Sequence, residues 1–198
     1  MKTTKHIFII LAIFIATYLL FNTPTLISQT DFLINKKTKI KKVTKILNHK
    51  SYENNTLIIP NLGISVPIKF IKNQNENIIL ENLKKGIVHF PYTAKPNKIG
   101  NSVYIGHSSN YLWNRGEYNS IFSNLNQIKK DDLIFIAFKN KLYKYKTFQT
   151  FYISPSDLEI FNQTNNKIIT LLTCWPPGTT LSRLAVQAKQ QNTRTKKH

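Results

Sequence analysis

From about residue 56 the chain is cut into short apolar or alternating runs separated by Pro, Gly and Asn: Leu57–Ile59, Ile64–Ile68, Ser102–Ile105, Leu133–Phe138, Lys141–Phe148, Ile168–Leu172 and Leu184–Ala188. Runs of this length between turn residues read as strands, and seven or eight of them read as an all-β barrel or sandwich. Asn140 with Lys141, between Phe138 and Leu142, has the look of a hairpin turn, and the spacing of Leu142, Tyr143, Tyr145 and Phe148 predicts one buried face after it. Asn119–Ile128 has the pattern of a short helix. No internal repeat or low-complexity domain interrupts the series.

The first 50 residues obey other rules. Lys2 and Lys5 precede an apolar run, Ile7–Phe21, that continues more weakly to Ile27, giving a stretch of 21 residues; about 20 apolar residues are needed to span a bilayer as a helix. Ser28-Gln29-Thr30 makes a poor cleavage site, so residues 1–27 are expected to be a retained transmembrane anchor. Over residues 28–55, a basic linker, Leu33, Ile40, Val43 and Leu47 sit near helical spacing among lysines, which predicts a basic amphipathic helix serving as a stalk or lying on an anionic surface. Lys36 to Lys45 would pull the C-terminal domain toward the cytoplasm under the positive-inside rule, but they begin 15 residues past Phe21, at the limit of its reach.

A formal charge of +19 suggests a polyanion partner until its placement is considered. Of 28 Lys and Arg residues, 9 lie in residues 1–50 and 4 in residues 189–198, leaving 15 basic against 7 acidic residues over 56–188 with no evident stripe. The charge therefore belongs largely to the linker and to a basic tail at 191–198, and nucleic acid is not an expected partner. One cysteine, Cys174, excludes an internal disulfide framework and any thiolate-rich metal site. Lone cysteines are commonly small buried hydrophobes, so context has to decide whether this one reacts.

The context is Thr170–Val186. An apolar strand, Ile168–Leu172, runs into Cys174; Pro176-Pro177-Gly178 breaks it, and a second apolar strand opens at Arg183. A thiol at the end of one strand and a guanidinium at the start of the next can face each other across the hairpin. Acyl transfer needs such a pair, because an attacking thiolate creates an oxyanion that a fixed donor must hold. His107, closing Ser102–Gly106, is placed to exchange a proton with an amine, although a single Gly-His is by itself weak evidence.

Taken together these segments resemble the sortase family. Thr170-Leu171-Leu172-Thr173-Cys174, with Arg183 nine positions after the cysteine, is similar to the TLxTC signature and its strand-opening arginine. Gly100–Ser108 resembles the block around the family's histidine. Leu57–Pro60, Gly63–Ile68, Gly86–Pro91 and Phe122–Leu125 before Lys130-Asp131-Asp132 match the family in order and spacing. The resemblance covers about residues 56–188 and implies an eight-stranded sortase β-barrel with short helices over 56–190. It also implies a cysteine transpeptidase that cleaves an LPxTG-like motif through a thioacyl intermediate on Cys174, with His107 moving protons and Arg183 holding the oxyanion. Thr173 and Trp175 are the expected substrate-binding neighbours. The implied partners are secreted proteins with a C-terminal sorting motif, an amine acceptor from cell wall or pilin, and the membrane through the N-terminal helix, with the domain outside the cytoplasm.

Residues 28–55 lack the Asp-Pro-aromatic lid tripeptide of pilus-building sortases, whereas the Cys-to-Arg spacing and Pro-then-Gly loop are similar to that branch, which leaves type C and D/E-like subclasses open. His89 reads as a half-buried strand residue. Glu76, Glu81, Glu117, Asp157 and Glu159 are too scattered for calcium, and neither metal nor cofactor is expected. NlpC/P60-like peptidases place cysteine before histidine, and L,D-transpeptidases use SxGCxR; neither order occurs here. The non-catalytic alternative is a basic, anchored binding module for an anionic polymer.

Overall fold

The computed structural model describes residues 2–109 and 116–191. Eight strands close into one barrel in the order β1-β2-β3-β4-β7-β8-β6-β5: β1 (Thr56–Ile59), β2 (Ile64–Phe70), β3 (Ile87–His89), β4 (Gly100–Ile105), β5 (Leu133–Phe138), β6 (Lys141–Ile153), β7 (Lys167–Trp175) and β8 (Ser182–Gln190). The expected barrel is thus observed, and the three-residue β3 completes the set. Leu57, Ile59, Val66, Ile134, Ile136, Ile169, Leu171 and Val186 fill its interior at 0% exposure.

Two pairings are parallel, β2 with β3 and β4 with β7, and parallel neighbours need a crossover rather than a tight turn. The first crossover contains α2 (Glu76–Leu83), a helix not expected from the sequence. Its start is set by Asn75, whose side chain accepts from the Ile78 N–H, and Leu83 is its buried anchor. The second crossover holds residues 117–128. The short helix expected at Asn119–Ile128 is instead a series of turns ending in one 3₁₀ turn, Leu125–Gln127. Its buried anchors, Phe122, Leu125 and Ile128, recur every third residue, which is the 3₁₀ period and not the α period.

Two details of β5 and β6 also depart from expectation. The hairpin turn is Lys139-Asn140, one residue earlier than predicted; both have positive φ (51° and 59°), as a type I′ turn requires, and Lys141 already pairs with Phe138. On β6, Tyr145 and Thr147 are buried while Phe148 is 38% exposed. The register against β8 steps from Thr147↔Ala188 to Gln149↔Gln187, so Phe148 is the extra residue of a bulge. One added residue exchanges the faces of everything after it. That is why Phe151 and Ile153 lie outside the barrel, beside Ile160, Leu172 and Ala185.

Residues Lys2–Asn48 form one helix, α1, which runs through the boundary expected between anchor and linker. Of the predicted stripe in its second half, Val43 is buried and Ile40 and Leu47 half-buried, whereas Leu33 is 69% exposed and its neighbour Phe32 is buried in its place. This half is no solvated stalk. Phe32 joins the barrel core, and Lys39, paired to Asp31, lies against Gly63. Among the described residues, no helix is long and apolar enough to cross a membrane. The expected basic tail lies, apart from Gln191, outside the described residues.

Candidate active site

Strand alternation and register are enough to bring the predicted residues together. On β7, Ile169 and Leu171 face the core whereas Leu172 packs outside with Ile160 and Ala185, so Cys174 shares the outer face. On β8, Leu184, Val186 and Ala188 face inward and Ala185 outward, which puts Arg183 outside as well. Cys174 and Arg183 are direct partners in the β7–β8 ladder. β4 lies on the other side of β7 with Ile105 level with Leu172, and the Gly106 N–H continues that ladder by donating to the Leu172 carbonyl at 3.1 Å. Carried on to the next outward position, the same register sets His107 level with Cys174. Strand alternation and register thus assign the three residues to the same face at one end of adjacent strands, and all three are half-buried.

The backbone that carries His107 is fixed at several points. The Gly106 carbonyl accepts from Thr173 Oγ1 at 2.8 Å, and the His107 carbonyl accepts from the Phe122 N–H at 2.9 Å. Gly106 is required by close approach, since a Cβ there would strike the Phe122 ring. Burial holds the His107 imidazole below the usual histidine pKa, because desolvation penalises its cation. The shift favours the neutral form of the imidazole.

Arg183 donates through Nη1 to the carbonyls of Thr180 (3.3 Å) and Ser182 (3.2 Å), so its guanidinium rests on its own hairpin. Thr173 and Trp175 sit one position either side of Cys174 and point the other way. Thr173 is 2% exposed, with its hydroxyl committed to Gly106. Trp175 packs against the barrel core and the Tyr152 ring, with centroids 5.6 Å apart. His89 is 3% exposed in β3, its Nε2–H donating to the Ala94 carbonyl at 2.9 Å, remote from this face. Among the described residues, no group of three His, Cys, Asp or Glu side chains could hold a metal ion. A cavity of about 520 Å³ lies between α1 and the barrel end, lined by Phe32, Lys39, Val43, Leu62 and Ile121; Cys174, His107 and Arg183 do not line it.

Sequence reasoning missed the residues that support this site. Phe122 was visible only as part of a short helix and of a segment shared with the family, not as a neighbour of Gly106, and Ser109, whose Oγ accepts from the Gly178 N–H at 2.7 Å, went unremarked. A signal did exist for the second: a Pro-Gly turn leaves an amide pointing outward, in need of an acceptor.

Comparison with known proteins agrees with this fold. No curated protein matches the chain. Among solved structures, it is similar to a lid mutant of sortase A from Corynebacterium diphtheriae (27% identity, TM-score 0.59, 69% of each chain covered). It is also similar to a pilus-related sortase C of Group B Streptococcus (26%, 0.58, 72% of this chain and 69% of that one). A Clostridium perfringens sortase D5 transpeptidase shares the fold at 24% identity and TM-score 0.58, over 83% of this chain and 98% of its own. The family model for the sortase domain matches residues 57–191, nearly the whole barrel, and the chain belongs to the sortase family.

Proposed function

We propose that the chain is a cysteine transpeptidase that cleaves an LPxTG-like sorting motif in secreted proteins and transfers the acyl group to an amine of a cell-wall precursor or a pilin lysine. The observation that supports this reading is the direct pairing of Cys174 with Arg183 in the β7–β8 ladder, with His107 two residues beyond Ile105 at the end of neighbouring β4. Cys174 Sγ attacks a backbone carbonyl of the motif while His107 accepts the thiol proton. The C–N bond breaks as His107 returns that proton to the leaving amine, and a thioester remains on Cys174. An incoming amine then attacks the thioester, its proton passes to His107 and on to the departing thiolate, and the new amide leaves. In each tetrahedral intermediate Arg183, swung from the hairpin carbonyls, donates to the oxyanion.

The expected outcome for Cys174→Ala in the full chain is loss of both peptide cleavage and acyl-amine product, with the thermal melt unchanged, because sulfur is the only covalent nucleophile offered. A fluorogenic sorting peptide with an added amine measures this, and wild-type turnover in the variant rules the reading out.

The domain is held at the outer surface of the cell membrane by the apolar half of α1. Supporting this are the apolar run Ile7–Phe21 and the exposure of described residues in it, with Phe8 72%, Ile10 66% and Phe14 69% exposed. A periplasm-active reporter fused after residue 198 should be active; activity from a cytoplasmic reporter instead would reverse the orientation and remove the surface role.

A further inference from the structure

We propose that Ser109 is a positioning residue that latches the β7–β8 hairpin to the strand end carrying His107. The inference rests on the reading that Cys174 and His107 act together. It starts from the turn Pro176–Thr179, closed by the Thr179 N–H on the Pro176 carbonyl at 3.0 Å. Gly178 sits at its third position with φ +87°, the signature of a type II turn with proline second and glycine third. In that turn the peptide between the two central residues is turned away from the closing bond, so the Gly178 N–H needs an acceptor from elsewhere.

Ser109 Oγ supplies it at 2.7 Å. Among the described residues, the other hydrogen bonds of 176–181 stay inside the hairpin: Thr179 Oγ1 donates to Pro176 and Arg183 Nη1 to Thr180. One hydroxyl thus joins the loop after Cys174 to the loop after His107. The loops approach from opposite sides of β7, since β4 and β8 are its two neighbours. Below the latch, Thr173 on Gly106 and Gly106 on Leu172 already fix the strand ends. What remains free to shift is the hairpin tip, on which the Arg183 guanidinium rests. Ser109 restricts that tip and so fixes the width of the space in which a peptide must lie between His107 and Arg183.

The test uses the full chain and the variants Ser109→Ala and Ser109→Thr. Hydrogen exchange over 176–182 should quicken by about tenfold in Ser109→Ala, as expected for loss of one neutral hydrogen bond, and return toward wild type in Ser109→Thr. Alkylation of Cys174 by iodoacetamide, which needs no formed groove, should be unchanged in both. kcat/KM for a sorting peptide should fall about tenfold in Ser109→Ala and recover in Ser109→Thr. Unchanged exchange in Ser109→Ala overturns the latch, whether or not the chain turns over peptide. Faster exchange with undiminished peptide turnover overturns the positioning role. Failure of wild type to process any sorting peptide defeats the transpeptidase reading instead, and exchange still decides the latch.

Discussion

The two faces of β4, β7 and β8 are built from the same strands and do opposite things. Inward, Tyr104, Ile169, Leu171, Leu184, Val186 and Ala188 are all 0% exposed and mostly apolar. Outward, Leu172 and Ala185, with Ile105 packed against them, form a small apolar cluster under the loop at Ile160. Beside them runs an oriented polar chain. Gln149 Nε2 donates to Gln187 Oε1 (2.6 Å), Gln187 Nε2 to Thr170 Oγ1 (3.1 Å), Thr170 Oγ1 to Asn101 Oδ1 (2.7 Å) and Asn101 Nδ2 to the Ile160 carbonyl (2.8 Å). Each of the four side chains gives one hydrogen bond and all but the exposed Gln149 also accept one, so the buried Thr170 and Asn101 side chains on the outer face are paired on both their donor and acceptor sides. Closing the barrel supplies the stability, which frees the second face to carry half-buried reactive groups.

Substitutions at neighbouring positions separate these roles. Leu171→Ala, inside the barrel, should lower unfolding free energy by about 4 kcal/mol, whereas Leu172→Ala, in a shallow cluster able to relax, should fall near the low end of the range, about 2 kcal/mol. Urea unfolding measures both, and equal losses would mean that the outer cluster is as tightly packed as the core. Arg183→Lys reverses the pattern. The fold should be unaffected, but turnover of a sorting peptide should fall about 10²–10³-fold, because an ammonium cannot reproduce the fixed fork of a guanidinium at an oxyanion. Near-normal kcat/KM in the lysine variant would leave Cys174 and His107 to work without it.

The sequence made the outer face legible in its chemistry and the inner face legible in its periodicity, for different reasons. Cys174 and Arg183 could be placed opposite each other because Pro176-Pro177-Gly178 breaks a strand between them, and the register confirms the pairing. Runs such as Ile168–Leu172 were visible as strands because both their faces are buried. Features set by a single residue's place among distant neighbours stayed hidden. The bulge at Phe148 follows from pairing with β8, about 40 residues later in the chain. α2 is demanded by the parallel β2–β3 pairing, which no local pattern announces. Thr173 and Trp175, expected beside the substrate from the family resemblance, lie on the opposite face of β7 from Cys174, which strand alternation decides. The buried stripe of α1 depends on which side meets the barrel, and Lys39 occupies a place in it that a hydrophobic count passes over.

The smallest effect gives the sharpest comparison, because one substitution made at two buried threonines should change stability in opposite directions. Thr170 is 0% exposed on the outer face, and its hydroxyl both accepts from Gln187 and donates to Asn101. Thr147 is 1% exposed beside the bulge on β6, on the inner face, and its hydroxyl has no hydrogen-bond partner among the described residues. Valine matches threonine in shape and branching, so packing and strand preference change little at either site. At Thr170 the change strands an amide donor and an amide acceptor, and should cost about 1–3 kcal/mol. At Thr147 it removes a hydroxyl whose desolvation is already uncompensated, and should stabilise by about 1 kcal/mol. Urea midpoints of Thr170→Val and Thr147→Val against wild type decide it. If both variants lose stability, the Thr147 hydroxyl has a partner, and the contrast between a compensated and an uncompensated buried hydroxyl at these two positions is lost.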